Sequence, residues 1–146
     1  MHTLLKILPA LILVLGAGGC CTTAPQGPTG NIPVIDTHIH LYDTTRDGGV
    51  PWPPPSDQVL YRPTLPKHFD KVTSVNGVKA TVIVEASDIV ADNQWVLDLV
   101  AHNPKHYVGL VGNLPLGTDA FAPALEKLAQ DSRYVGIRLR GFAEGV

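Results

Sequence analysis

The sequence is poor in cysteine, in charge and in long apolar runs. Its two cysteines, Cys20 and Cys21, are adjacent and have no other cysteine to pair with, so no disulfide framework is expected. Charged residues make up 16% of the 146 residues, the formal net charge is −2, and no basic cluster would follow a phosphate backbone. These shortages argue against a disulfide-stabilised fold and against nucleic acid as a partner. Hydrophobic residues, at 45%, are sufficient for a packed core.

No apolar run reaches the length of a membrane span. Lys6 is followed by 13 uncharged residues, 7–19, whereas a helix needs about 20 to cross a bilayer. Such a stretch is typical of the apolar region of a signal peptide. Gly18 and Gly19 before Cys20 resemble the cleavage box of bacterial lipoproteins, in which the cysteine is acylated. We therefore expect lipidation at Cys20, with a secretory signal or an uncleaved anchor as the alternative.

This processing would divide the chain into three parts. Residues 1–19 form the signal peptide, residues 20–32 a flexible polar tether, and residues 33–146 the folded domain. Stable attachment needs more than one acyl chain, because a single chain binds membranes only marginally. The expected location is the bacterial cell envelope, with the protein anchored in the membrane and facing the periplasm or the exterior.

Strand-like segments alternate with helix-like segments throughout the domain. The predicted strands are residues 34–40, 80–86, 107–113 and 135–139, and the predicted helices are residues 65–75, 92–103 and 119–130. Thr64, Asp92 and either Thr118 or Asp119 are the candidate N-caps. The order β-α-β-α-β-α-β with short connections implies an α/β fold with a parallel sheet and right-handed crossovers.

One connection, residues 41–63, is long and has four prolines at positions 51–55 around Trp52. Loops of this length in compact domains are usually functional or disordered. The loop follows the first strand directly, which places it at the carboxyl edge of the sheet, where α/β barrels build their sites. Trp52 and Tyr42 can either stack on a sugar-like ring or pack the loop down.

The most informative stretch is residues 34–40, which read V-I-D-T-H-I-H. Side chains alternate faces along a strand, so Asp36, His38 and His40 share one face, whereas Ile35 and Ile39 share the other. Burial of the isoleucines beneath the helices would turn both imidazoles to the opposite face, where they can bind one divalent ion. A His-x-His pair alone is a weak signal and is often structural. Its position before the long loop favours metal ligation by His38 and His40.

The stretch that ends in these histidines resembles the metal-binding signature of the amidohydrolase superfamily. The remaining chain is similar to the amidohydrolase-related group, which includes sugar-lactone hydrolases and some decarboxylases, through residues 41–43, 81–86, 93–99, 108–113 and 135–138. The resemblance implies the N-terminal half of a (β/α)8 TIM barrel, with about four parallel strands and three helices, since a closed barrel needs about 250 residues. It also implies a divalent metal, zinc, and attack of water or hydroxide on a carbonyl carbon.

The resemblance further implies metal ligands and an aspartate general base on later strands, which this sequence does not contain. The remaining histidines of the domain, His68, His102 and His106, lie on predicted helices or beside a helix end. Two imidazoles fall short of the three protein ligands that are usual for a catalytic zinc. We therefore expect this chain to be inactive alone, unless a second polypeptide supplies the missing half.

Glu85 ends the second strand and is the candidate catalytic residue. Alternation predicts that it shares the inward face with Thr81 and Ile83, whereas Val82 and Val84 face the helices. A carboxylate there can bind metal or substrate, or orient a histidine. The alternative is a solvated carboxylate or one that is paired with an arginine.

Arg138 and Arg140 at the end of the fourth strand are the substrate-binding candidates. Guanidinium groups recognise carboxylates and polarised carbonyls. The alternative for one of them is a structural ion pair with Asp36 or Glu85.

Two functions remain open at this point. The first is a hydrolase that acts on a small molecule, either a lactone or related cyclic ester or an amide, with decarboxylation also open. The second is a non-catalytic, membrane-tethered lipoprotein that uses the half-barrel as a binding or assembly module. A half-barrel exposes two sheet edges and an apolar face, so it should form a homodimer or bind a complementing C-terminal half. A split gene would produce the same sequence.

Overall fold

Strands and helices alternate along residues 32–139, the part of the chain that the computed structural model describes. In chain order the elements are β1 (Val34–Ile39), α1 (Pro66–Asn76), β2 (Val78–Val84), α2 (Ala91–Leu99), β3 (Tyr107–Gly112), α3 (Phe121–Leu128) and β4 (Tyr134–Ile137). The element order is the predicted one, although α2 and α3 end earlier than predicted. No helix in this range has the length and apolar character needed to cross a bilayer.

The four strands form one parallel sheet in the order β1-β2-β3-β4, which confirms the predicted α/β architecture. Ile39 pairs with Ile83 across β1 and β2, and Gly112 pairs with Ile137 across β3 and β4. Because the strands are parallel, their carboxyl ends lie at the same edge of the sheet. Residues that follow the strands therefore meet at one edge, which is called the carboxyl edge below.

The hydrophobic core joins the sheet to helices α2 and α3. Its buried members are Ile39, Leu41, Ile83, Val96, Leu97, Val100, Tyr107, Leu110, Leu114 and Leu128. Full burial of a large apolar side chain contributes about 1.5–3 kcal/mol. The core thus holds the crossover helices on one face of the sheet and fixes the strand ends relative to one another.

Helix α1 is attached to the sheet by a polar contact as well as by packing. The Tyr107 hydroxyl on β3 donates a hydrogen bond to Asp70 on α1 at 2.7 Å. Burial, together with this hydrogen bond, raises the pKa of Tyr107. The helix ends at Gly77, whose φ of 69° lies in the left-handed region that favours glycine.

The predicted N-caps are wrong. The N-cap residues Leu65, Val90 and Ala120 do not cap their helices with their own side chains, and at α1 the Leu65 N–H instead donates to the His68 ring at 3.1 Å. Thr64 instead pairs through its backbone with Tyr42, and Asp92 lies inside the first turn of α2 and binds Arg46. The Thr118 hydroxyl donates to the Pro115 carbonyl in the preceding turn, and α3 begins beyond Asp119. These polar groups are used by the loops, so they do not cap the helices.

The predicted orientation of β2 is also wrong. Ile83 belongs to the core with the residues of α2 and pairs in register with Ile39. The face that carries Ile83 and Glu85 is therefore the helix-covered face, and Val82 lies on the opposite one. Alternation fixes which residues share a face, but both faces of β2 are apolar, so it does not decide which face the helices cover.

Ile35 is 51% exposed, which contradicts its predicted burial beneath the helices. It lies near the amino end of β1, which has a neighbouring strand on only one side among residues 32–139. The valines Val34, Val108 and Val135 on the strands are also exposed.

Candidate metal centre and adjoining pocket

β1 brings the two predicted metal ligands together at the carboxyl edge. Ile39 packs into the core, so His38 and His40 on either side of it project from the other face of the strand. Their ring centroids lie 5.0 Å apart, with the ring planes at 83°. His38 is exposed, and its backbone N–H donates to the Asp36 carboxylate at 3.2 Å. Two imidazoles this close can each present a nitrogen to one ion.

His40 is held in a defined orientation by the neighbouring strand. Its Nδ1 lies 2.8 Å from the backbone oxygen of Val84 on β2. A carbonyl only accepts, so Nδ1 carries the proton and Nε2 keeps a free lone pair. Metal-binding histidines typically make this kind of contact through their second nitrogen.

Burial lowers the pKa of His40 below its ordinary value. The hydrogen bond to Val84 opposes this shift, whereas the charges of His38 and Arg138 add to it. The ring is therefore neutral near pH 7, which is the state that a metal ion requires of a histidine ligand.

Trp52 packs directly against His40. The two ring centroids are 5.3 Å apart, and Trp52 also lies 5.5 Å from the ring of Tyr42. Tyr42 is buried, and its hydroxyl donates to the Leu60 carbonyl at 3.1 Å. Tyr42 thus packs the loop down, whereas Trp52 is only half-buried and borders the histidines.

The long loop, residues 41–63, is fastened near its base and to α2. The backbones of Tyr42 and Thr64 exchange two hydrogen bonds, of 2.9 and 2.8 Å. The Arg46 guanidinium lies 2.8 Å from the Asp92 carboxylate and 4.3 Å above the ring centre of Trp95. Arg46 did not stand out in the sequence, and Asp92 was predicted only as an N-cap, because their contact depends on how the loop folds back.

Glu85 and Arg138 meet at the carboxyl edge. Glu85 is 3% exposed, and its Oε1 lies 3.9 Å from Arg138 Nε. Arg138 also donates from Nη1 to the Glu85 backbone oxygen at 3.1 Å, and its own backbone N–H donates to Gly112 at 2.8 Å. The ion pair between Arg138 and Glu85, one of the alternatives predicted for the arginine, is therefore present.

A pocket of about 250 Å³ adjoins the imidazole of His40. Its lining combines a histidine, an aromatic ring, a small residue and a guanidinium, namely His40, Trp52, Ala86 and Arg138. Small-molecule sites typically combine apolar walls with a few well-placed polar groups. The pocket is of a size that suits a single small ring compound.

No group of three histidine, cysteine, aspartate or glutamate side chains within residues 32–139 could hold a metal ion. His68 lies on α1, His102 follows α2 with its ring 3.2 Å from the Leu99 carbonyl, and His106 precedes β3 at the opposite edge of the sheet. These three histidines therefore lie apart from His38 and His40.

A buried polar network at the carboxyl edge was missed by sequence reasoning. Asn93 on α2 donates to the Asn113 carbonyl at 2.8 Å and accepts from the Asn113 N–H at 2.9 Å. The Asn113 side chain donates to the Ser87 carbonyl at 2.7 Å. Gly112 permits this approach, since a Cβ at that position would overlap the Asn93 amide oxygen. The only signal in the sequence was a glycine followed by an amide at the end of a strand.

The predicted lipidation site, Cys20, lies outside the described residues, as does the second substrate-binding candidate, Arg140. The signal peptide, residues 1–19, and nearly all of the tether lie outside them as well. Their predicted roles therefore stay predictions.

Comparison with known families gives one extended match. The family described as amidohydrolase matches residues 35–146, which is most of the chain and includes both histidines of β1.

Two individual proteins are similar to this chain. The L-fucono-1,5-lactonase of Burkholderia ambifaria is 34% identical over 106 residues, which are 71% of this chain and 35% of the lactonase. A crystal structure of an amidohydrolase from Burkholderia multivorans with bound zinc matches with a TM-score of 0.55 and 23% identity, over 73% of this chain and 35% of that one. The structural match supports the assignment of the sheet to part of an amidohydrolase TIM barrel. The chain spans about a third of the length of these relatives.

Proposed function

Since the chain belongs to the amidohydrolase family, we propose that it provides the metal-holding edge and part of the substrate pocket of a metal-dependent hydrolase. The observation that carries this proposal is the orientation of His40. Its Nδ1 is occupied by the Val84 carbonyl, which leaves Nε2 available beside the His38 ring.

The donor set fits zinc. Neutral imidazole is among the preferred ligands of zinc, and the similar amidohydrolase from Burkholderia multivorans contains bound zinc. When bound, a zinc ion lowers the pKa of a water molecule and polarises a carbonyl group. His38 and His40 would supply two ligands. A catalytic zinc usually has three protein ligands, so a further one would have to come from outside residues 32–139.

The proposed substrate is a lactone or a related cyclic ester. The similarity to an L-fucono-1,5-lactonase supports this class, and so does the lining of the 250 Å³ pocket. The Trp52 ring offers a flat apolar wall for a sugar-like ring, and the Arg138 guanidinium can donate hydrogen bonds to a carbonyl oxygen. Glu85 lies behind Arg138 and does not line this pocket, so the structure does not favour its direct contact with substrate.

The test follows acid release from L-fucono-1,5-lactone by the full chain loaded with Zn²⁺, with spontaneous hydrolysis subtracted. If residues outside 32–139 or a second polypeptide supply the third ligand, we expect a zinc-dependent rate that falls to the spontaneous one in His38→Ala and in His40→Ala. His102→Ala removes an exposed imidazole elsewhere and should leave the rate unchanged. A rate that survives both β1 substitutions contradicts the metal role. The absence of any rate above background on lactone, ester and amide substrates contradicts the hydrolase function of this chain.

A second candidate function is an assembly module, and the exposed apolar residues of the sheet favour it. Val34, Ile35, Val108 and Val135 are 39–57% exposed although they lie on strands. Among the described residues, β1 and β4 each lack one neighbouring strand. The β4 edge of one copy can pair in parallel with the β1 edge of another, and two copies then supply the eight strands of a closed barrel.

Sedimentation velocity tests this homodimer. Val135→Lys should convert a dimer to a monomer, whereas Val59→Lys, in the long loop, should leave it intact. A wild-type chain that is monomeric at every concentration tested contradicts the assembly function.

We also propose that the chain is attached to the membrane through acylated Cys20. The residues that precede this cysteine support the proposal, because they resemble the cleavage box of lipoproteins. The location would then be the cell envelope. Cys20→Ser should move the protein from the membrane fraction to the soluble fraction, whereas Cys21→Ser should not. Equal partitioning of both variants contradicts lipidation at Cys20.

A further inference from the structure

The pocket beside His40 has a cationic group with a carboxylate directly behind it. Arg138 is 39% exposed at its side chain and lines the pocket, whereas the Glu85 side chain is only 4% exposed and lies on the helix-covered side. Two contacts join them: Oε1 of Glu85 lies 3.9 Å from Nε, and the Glu85 backbone oxygen accepts from Nη1 at 3.1 Å. These contacts involve Nε and Nη1 of the guanidinium, which also lines the pocket.

The end of β2 therefore orients both functional groups of the pocket. Val84 holds His40 through its carbonyl, and the next residue, Glu85, holds Arg138. A single strand end thereby sets the distance between the imidazole and the guanidinium. Trp52, in edge contact with His40, closes the side of the pocket next to them.

The carboxylate of Glu85 next to Arg138 affects how strongly the pocket attracts an anionic ligand. An arginine without a counter-ion attracts a carboxylate more strongly than a neutral carbonyl, because guanidinium and carboxylate pair with full charges. A carboxylate fixed behind the guanidinium repels an incoming anion, and water screens this repulsion poorly because the carboxylate is buried. The same carboxylate has little electrostatic effect on a neutral ligand. Arg138 therefore keeps its ability to donate hydrogen bonds, whereas its electrostatic attraction for anions is reduced.

We propose that Glu85 is a specificity-determining residue, which positions Arg138 and offsets its charge so that the pocket accepts a neutral cyclic carbonyl compound and disfavours the corresponding open-chain acid. This inference rests on the proposed function, since a lactone is neutral and the acid that its hydrolysis releases is anionic. The role differs from direct catalysis and from metal ligation. It gives the site a means of releasing its product.

The experiment measures binding to the metal-free full chain, so it is independent of hydrolysis. The neutral probe is D-glucono-1,5-lactam, a ring that does not open readily, and the anionic probe is D-gluconate. Binding is followed by NMR through the indole N–H of Trp52 and the Nε–H of Arg138, which are assigned with Trp52→Phe and Arg138→Gln. The wild type should bind the lactam at least about tenfold more tightly than gluconate.

Glu85→Gln should tighten gluconate binding about tenfold and change lactam binding less than twofold. The matched control, Glu126→Gln on the exposed face of α3, should bind both probes like the wild type. Arg138→Gln should weaken both. Glu85→Asp keeps the charge and should keep the wild-type preference, which provides a second variant if Glu85→Gln does not fold.

Several results would overturn the proposal. These are equal or weaker gluconate binding in a folded Glu85→Gln variant, a wild-type preference for gluconate, loss of the lactam preference in Glu85→Asp, or no binding of either probe to the wild type. Loss of zinc affinity in Glu85→Gln, by about tenfold or more, would instead assign Glu85 to the support of the metal ligands. If discrimination between the probes holds but zinc-dependent hydrolysis is absent, the pocket inference stands and the hydrolase proposal fails.

Discussion

At the scale of single residues, the site depends on what surrounds each imidazole. His40 is half-buried, hydrogen-bonded to Val84 and packed against Trp52, whereas His38 is exposed. The first ring is therefore fixed before any metal binds, and the second ring can adjust to the ion. This division would suit the proposed metal site, whose further ligands would come from outside residues 32–139.

The contact between Trp52 and His40 leads to a fluorescence prediction. In a Trp95→Phe variant, Trp52 is the only tryptophan, and its ring lies 5.3 Å from the His40 ring. Zinc binding converts the neighbouring imidazole into a charged complex, so the emission of Trp52 should change on addition of Zn²⁺. The reciprocal variant, Trp52→Phe, retains Trp95 beside Arg46 and should not respond. A zinc response of equal size in both variants would place the metal away from β1.

Alternation along β1 was sufficient to predict that His38 and His40 lie together. It was not sufficient to predict that His40 bonds to Val84, because that contact depends on the register between β1 and β2. The ladder contains register shifts, one of them between Asp36 and Ile39. Local sequence does not specify such irregularities.

At the scale of elements, the long loop is part of the site because its anchors hold it there. The contacts of Arg46 with Asp92 and Trp95 join the loop to α2, and the bridge between Tyr42 and Thr64 closes its base. These contacts hold the segment that carries Trp52 over the carboxyl edge.

Removal of the Arg46 anchor should expose the loop to proteases. A partly exposed ion pair and a cation–π contact are together worth about 1 kcal/mol. Arg46→Ala should therefore speed cleavage within residues 43–63 about fivefold, since cleavage follows the population of the open loop. Arg62→Ala, an exposed arginine of the same loop, is the control and should be cleaved at the wild-type rate. Equal cleavage of the two variants would show that Arg46 does not anchor the loop.

Gly112 on β3 is required by the packing of α2 on the sheet. A Cβ there would overlap the Asn93 amide oxygen and lie 2.5 Å from the Tyr134 ring. Gly112→Ala should therefore lower the free energy of unfolding by about 1–3 kcal/mol, the usual cost of overpacking. Gly136→Ala on β4 meets its nearest atom at 3.4 Å and should cost less. Urea unfolding of both variants measures the difference, and equal costs would contradict the close approach of Asn93.

The strand and helix order was predictable because each element carries its own pattern of apolar residues. The capping positions were not, since Thr64 and Asp92 have partners that only the folded chain brings near, and Thr118 bonds to Pro115 in its own turn. The prediction of which face of β2 the helices cover was wrong for a related reason. Thr81, Val82, Ile83 and Val84 are all compatible with burial, so composition did not distinguish the covered face.

At the scale of the whole molecule, residues 32–139 form a parallel sheet covered by helices on one face, with the histidines, the arginine and the long loop gathered at its carboxyl edge. This is the edge at which α/β barrels build their sites. The sequence was sufficient to predict the α/β architecture and the location of the candidate site at the carboxyl edge of the sheet. It gave the pairing of Glu85 with Arg138 only as one of several alternatives, because this contact joins residues that are 53 positions apart in sequence.

The proposed function depends on a divalent metal held on β1 by His38 and His40. Isothermal titration of the full chain with Zn²⁺ tests it most directly, with the double variant His38→Ala, His40→Ala and the control His102→Ala measured alongside. We expect stoichiometric zinc binding by the wild type and the control, and loss of that site in the double variant. Equal zinc affinity in all three proteins would contradict it.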